Sequence, residues 1–246
     1  MENLLQKSIT LPSKGKLYDN LESPELTLRG MTIRDEIIRL NANDNDFKPL
    51  ADMLDGCIIS DFPMSSYDLC LGDFQYLLFQ LRALTYGDSM TITSRCPHCG
   101  SVNTVNISID DIPLSDHSFD EIADVANIEL PMSKARITLA PTTPRILDKI
   151  KSGTKRSKKK RLEENEIFLK VNNAIGSIEG AGGEFDIDDW LESLPMKDIN
   201  AILQTSAKLD SMVGLNLVND TSCEMCGLEY PTTIVVGKDF FRPKVF

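Results

Sequence analysis

Cys96-Pro97-His98-Cys99-Gly100 and Cys223-Glu224-Met225-Cys226-Gly227 are two copies of one phrase, and their reading decides the architecture. Each presents two thiols three residues apart, followed by a glycine that can take positive φ and turn backbone amides toward a sulfur. Two sulfurs at that spacing reach one ion from a tight turn, and four thiolates complete a closed tetrahedral shell. A closed shell leaves no position for water or substrate, so the pattern points to a structural zinc ion held by Cys96, Cys99, Cys223 and Cys226.

The separation is unusual. Zinc ribbons commonly place roughly 15–20 residues between their two cysteine pairs, whereas 123 separate Cys99 from Cys223. Closing the longer loop costs only about 1.7 kcal/mol more, against the roughly 10–16 kcal/mol that a structural zinc supplies. The flanks predict a hairpin at each pair. Ser89 to Ser94 leads into the first, Val102 to Ile109 leads out with period-2 alternation, and Thr232 to Val236 follows the second.

Other uses of these thiols fit less well. A redox dithiol needs one reactive pair in a strand-to-helix context, and two disulfides need an oxidising compartment. The opening residues Met1 to Lys7 contain no long apolar core of a secretory signal. His98 reads as a bystander, because Cys96 and Cys99 fill the two places of its knuckle. Cys57 and Cys70 sit in apolar runs and read as small buried hydrophobes.

The 246 residues, 41% hydrophobic and 26% charged, describe a globular chain with no apolar run near the roughly 18 residues of a membrane span. A net charge of −11 disfavours a general nucleic-acid binder. One segment dissents: residues 149–161 carry eight basic side chains and no acid. The plain reading is a solvated loop leading into a helix, partly paired with Glu163, Glu164 and Glu166. The sharper reading makes Lys155, Arg156, Lys158, Lys159, Lys160 and Arg161 a docking patch for an acidic partner or for this chain's own acidic surface in a homo-oligomer.

Strand candidates fall at Glu25 to Arg29 and around the knuckles. Helix candidates fall at Ile33 to Leu40 behind Thr32, Phe47 to Asp55, and Gly72 to Tyr86, with Phe74, Leu77, Leu78, Leu81 and Leu84 recurring at helical intervals. Further helices are expected over Arg161 to Ile175, behind the acids Asp186, Asp188 and Asp189, and over Met196 to Met212. The class expected is α+β, mainly helical with short hairpins, with a split four-cysteine zinc ribbon (90–110 and 220–237) holding a helical insertion (111–219). An N-terminal strand and helix region (1–89) and a C-terminal tail (238–246) complete the division. Ile128-Glu129-Leu130-Pro131, followed by Ile137-Thr138-Leu139 and Pro144-Arg145, echoes Ile9-Thr10-Leu11-Pro12, followed by Leu26-Thr27-Leu28 and Ile33-Arg34. The echo is short, so duplication and coincidence both stay open.

No phosphate-binding Gly-rich loop, HExxH or nucleophile elbow occurs, and the chain reads as non-enzymatic. A Cys-ligated catalytic zinc, as in deaminases, would need an open coordination position and a placed Glu, and the paired phrases leave neither.

In order along the chain, Leu11-Pro12-Ser13-Lys14-Gly15-Lys16-Leu17-Tyr18, Leu26-Thr27-Leu28-Arg29-Gly30-Met31-Thr32-Ile33-Arg34-Asp35-Glu36, the Gly72-Asp73 to Tyr86-Gly87 helix and the first cysteine phrase resemble the T4-type bacteriophage baseplate protein family, in particular its hub assembly proteins. The resemblance covers nearly the whole chain. It implies a protein made in the cytoplasm of the infected bacterium that binds hub or tape-measure components. Its role would be to promote assembly of the baseplate central hub, as a chaperone or as a part retained in the virion tail. The rival from another class is a zinc-ribbon nucleic-acid-binding accessory of a phage. That reading wants basic and aromatic residues beside the knuckles, where only Arg95 and His98 stand near the first, and Glu224 and Glu229 flank the second.

Overall fold

The computed structural model describes residues 5–19, 21–40, 46–160, 166–181, 185–234 and 240–241, the side chains of 155–160 excepted. Strand β1 (Gln6–Thr10) pairs antiparallel with β2 (Glu25–Arg29), and helices α1 (Ile33–Leu40), α2 (Phe47–Cys57) and α3 (Leu71–Tyr86) follow. The hairpin β3 (Ser89–Arg95) and β4 (Val102–Ser108) carries the first cysteine phrase at its tip. After α4 (Phe119–Ala126) comes a three-stranded antiparallel sheet of β5 (Asn127–Glu129), β6 (Arg136–Leu139) and β7 (Ile175–Ile178). Helices α5 (Pro144–Lys160) and α6 (Glu166–Ala174) lie between β6 and β7, and α7 (Ile187–Ser193) and α8 (Met196–Ser211) follow. The hairpin β8 (Val218–Ser222) and β9 (Glu229–Thr233) carries the second phrase. The fold is α+β, as expected.

The segment that ends in the second knuckle repeats the one that ends in the first. Both begin with a strand pair whose turn follows a Leu-Pro. The Leu11 N–H donates to Pro24 O at 2.9 Å, and the Leu130 N–H donates to Ala135 O at 2.8 Å. Both turns are held by the aspartate at the third position of a sixteen-residue helix. Asp73 of α3 accepts the Ser13 N–H at 2.9 Å and the Ser13 hydroxyl, and Asp198 of α8 accepts the Met132 and Ser133 N–H groups at 2.7 and 2.8 Å. Thr32 and Thr143 open the next helix, their carbonyls accepting from Glu36 and Leu147 at 3.1 Å each. Leu28 bridges Ile58 just beyond α2, and Leu139 pairs with Ile175 just beyond α6. Gly87 and Gly214 then turn the chain at φ of 91° and 95° toward the two hairpins. So many matched bonds make the short sequence echo a true structural repeat, with residues 6–108 and 127–233 as its two copies.

Each copy has its own core. The first gathers Leu11, Leu26, Leu28, Leu54, Phe74, Leu77 and Phe79, and the second gathers Leu130, Ile137, Leu139, Val171, Leu191, Ile202 and Leu209. Helix α3 runs through the middle of the first core, which buries Gln80 and Arg82 along with its leucines, so its buried surface is broader than the stripe its sequence suggests. Phe240 and Phe241, in the stretch expected as a tail, are buried in the first core.

Helix α5 differs from expectation. Residues 149–160, expected as a loop, continue the helix from Pro144, because Lys and Arg are good helix formers and Ile146 and Ile150 anchor the face turned inward. Gly153 permits close approach to α6: a Cβ there would lie 2.7 Å from Leu169 Cδ1. Residues 161–165, expected to begin the next helix, lie outside those described. From Glu166 that helix runs to Ala174, and Ile175 already belongs to β7.

Candidate metal centre

The two hairpins bring their tips together. The Cys96 N–H donates to Ser101 O at 2.8 Å and the Gly100 N–H to Cys96 O at 3.0 Å. The Cys223 N–H donates to Leu228 O at 3.0 Å and the Gly227 N–H to Cys223 O at 2.8 Å. Gly100 and Gly227 have φ of 76° and 71°, the left-handed region where a side chain would be strained. Each knuckle is thus shaped by its backbone, and the two are alike.

All four sulfurs lie within 4.8 Å of one another. Across the knuckles, Cys96 Sγ is 3.8 Å from Cys226 Sγ and Cys99 Sγ is 3.6 Å from Cys223 Sγ. Four sulfurs at about 2.3 Å around one zinc form a tetrahedron with edges of about 3.8 Å. Cys96 and Cys223 are buried beside Tyr230, and Cys99 and Cys226 face outward.

The surroundings favour a thiolate at Cys99 and Cys223 and oppose it at Cys226. The Ser101 hydroxyl lies 3.1 Å from both Cys99 Sγ and Cys223 Sγ, and the His98 N–H points at Cys96 Sγ at 3.4 Å. The hydrogen bond from Ser101, helped by the Cys226 and Met225 amides, holds the Cys223 thiol down at about 5, and Ser101 also lowers Cys99. Cys226 moves the other way. The Leu228 amide favours its thiolate, but desolvation and the three neighbouring sulfurs push it up to about 12. Four thiolates this close repel one another, and a divalent cation at their centre removes that repulsion. The donor set fits a soft or borderline metal such as zinc.

Asn103, Tyr230 and Ser94 form a second layer that the sequence did not announce. Buried Asn103 donates through Nδ2 to Tyr230 OH at 3.0 Å and approaches Cys223 Sγ at 3.6 Å, while its Oδ1 accepts the Glu224 N–H at 3.0 Å. Tyr230 OH in turn meets Ser94 Oγ at 2.8 Å. These bonds tie hairpin to hairpin independently of the sulfurs. Their only sequence trace is a position on a strand beside a knuckle, which many residues share.

Elsewhere the structure separates what it does not use. Cys57 and Cys70 are buried away from the cluster, and burial pushes the Cys57 thiol up to about 12. His98 is exposed, and Asp186 caps α7 through the Asp188 and Asp189 N–H groups. Lys155, Arg156, Lys158, Lys159 and Lys160 occupy the last turns of α5, and Arg161 lies outside the described residues.

Two matched hairpins thus bring four sulfurs into one site whose donor set could hold a metal ion. The chain belongs to the family described as T4 bacteriophage base plate protein, which it matches over residues 5–242. It is therefore a phage baseplate-related protein. No curated protein and no solved structure matches it. Among the described residues no helix is long and apolar enough to cross a membrane.

Proposed function

We propose that this chain is a non-enzymatic tail assembly protein. It binds hub or tape-measure components in the cytoplasm of the infected bacterium and promotes formation of the baseplate central hub. The observation that carries this reading is the family match across nearly the whole chain. The four-cysteine cluster supports the physical part: Cys96, Cys99, Cys223 and Cys226 hold a structural Zn2+ that fixes the two repeats in one relation. A factor of this kind works by favouring one conformation of its partner, which requires a rigid binding face.

Pull-down of the tagged chain from infected cells tests the assembly role. Co-recovery of a hub or tape-measure protein, resistant to nuclease, is the expected result. Recovery of nucleic acid without a tail protein would replace it with the nucleic-acid-binding reading. The acidic residues Glu224 and Glu229 at the second knuckle oppose that alternative, since they would face phosphates of like charge.

A further inference from the structure

Among the described residues, the first repeat closes a groove that the second leaves open. In the first, Phe240 and Phe241 fill the space between α1 and α3. The Arg82 Nε–H donates to Phe240 O at 2.8 Å, and the Phe240 ring meets Phe79 edge-on at 4.6 Å. The guanidinium groups of Arg82 and Arg39 cover the rings of Phe240 and Phe241, each at 5.8 Å.

The repeat registers the equivalent positions. Counting from the helix-opening Thr32 and Thr143, Arg39 corresponds to Ile150. Counting from the turn-holding Asp73 and Asp198, Arg82 corresponds to Ala207. A second matched bond fixes the floor of both grooves: the Met31 N–H donates to Thr85 Oγ1 at 3.0 Å, and the Thr142 N–H donates to Asp210 Oδ1 at 2.8 Å. In the second repeat these residues line a cleft of about 790 Å³ between α5, α6 and α8, with Ile146, Ile150, Ile167, Leu203 and Ala207 on its walls. The cleft lies where the first repeat has its groove, with Ile150 and Ala207 at the positions of Arg39 and Arg82.

Charge sets what can fill it. Lys151 is paired with Asp46 and Lys170 with Glu166 at the rim, but α5 continues beyond the cleft through Lys155-Arg156-Ser157-Lys158-Lys159-Lys160. Glu166 and Asp210 also line the cleft, so on a chain of net charge −11 it is this basic run in the sequence of α5 that favours an acidic flank. We propose that the α5–α6–α8 cleft seats a short segment of a partner protein carrying adjacent aromatic side chains flanked by Asp or Glu, at the place equivalent to the one where the first repeat seats Phe240 and Phe241. This holds whichever tail protein the chain serves.

Fluorescence anisotropy on the full, metal-loaded chain tests it with a labelled peptide Asp-Glu-Phe-Phe-Glu-Asp. Saturable binding is expected, with affinity at least about tenfold lower when the Phe pair is replaced by Ser or the acidic flanks by Lys. Ala207 is exposed, so Ala207→Trp fills the cleft without disturbing a core; Ser206→Trp narrows it from the neighbouring position. Both variants should lose about tenfold or more in affinity while keeping the metal content and melting temperature, and Lys208→Ala should bind as the natural chain does. No saturable binding, equal binding of the Ser-substituted peptide, or undiminished binding by both folded tryptophan variants would overturn the proposal.

Discussion

Asp73 and Asp198 hold equivalent turns, yet their carboxyl groups are driven in opposite directions. Burial dominates at Asp73 and raises it, whereas at Asp198 the Ser133 and Met132 amides outweigh desolvation and lower it. Asp35 shows the second balance more strongly. Desolvation pushes it up, but the Arg29 guanidinium and the Thr32 amide and hydroxyl prevail and hold it at about 2, below its ordinary 3.8. A carboxyl depressed in the folded state contributes its full stability above the unfolded value and loses it as pH falls through the folded one. The stability gap between the natural chain and Asp35→Asn should therefore be constant at neutral pH and shrink between about pH 4 and pH 2; urea unfolding at a series of pH values reads it. At this scale the sequence was legible where chemistry is local. The four cysteines and the two buried ones could be sorted by their neighbours, but Asn103 and Tyr230 could not, because their roles come from a partner more than a hundred residues away.

At the scale of elements, the join between the repeats depends on Gly72 and Gly214, and a Cβ on Gly214 would lie 2.7 Å from Gly72 Cα. Gly72, near the start of α3, meets the end of the α8 segment, where an added Cβ would lie 2.2 Å from Val213 O. Backbone cannot yield as a flexible side chain can, so Gly72→Ala should destabilise the chain by about 1–3 kcal/mol, although alanine ordinarily favours a helix. Chemical denaturation measures it, and a neutral or stabilising result would mean that α3 and α8 are not packed this way. The element pattern was largely readable: the α3 leucines, the alternation in β4 and the cysteine turns each carry a local period or a turn residue. The extent of α5 was not. Its polar run looks like a solvated segment, and the close approach of Gly153 to Leu169 of α6 gives it a packed side that the sequence does not show. Likewise β7 is a four-residue strand defined by pairing with β6, which leaves too short a trace in sequence.

Across the whole molecule, the structural repeat orders what composition could not. The echo of Leu-Pro and Thr-Leu is short in sequence because the repeats share the places of the bonds that hold turns and strands, while the residues that make them differ, as at Thr85 and Asp210. The first repeat is completed by residues from the far end of the chain, so Phe241→Ala should cost about 3–5 kcal/mol, measured by thermal or urea unfolding; Phe241 is 1% exposed. The two knuckles join the repeats a second time. Metal analysis combined with X-ray absorption on the purified native chain tests this clasp most directly. The predicted result is one zinc per chain in a shell of four sulfurs at about 2.3 Å, with Cys96, Cys99, Cys223 and Cys226 protected from thiol reagents until a chelator removes the ion. A metal-free folded chain, or a shell with fewer than four sulfurs, would contradict it.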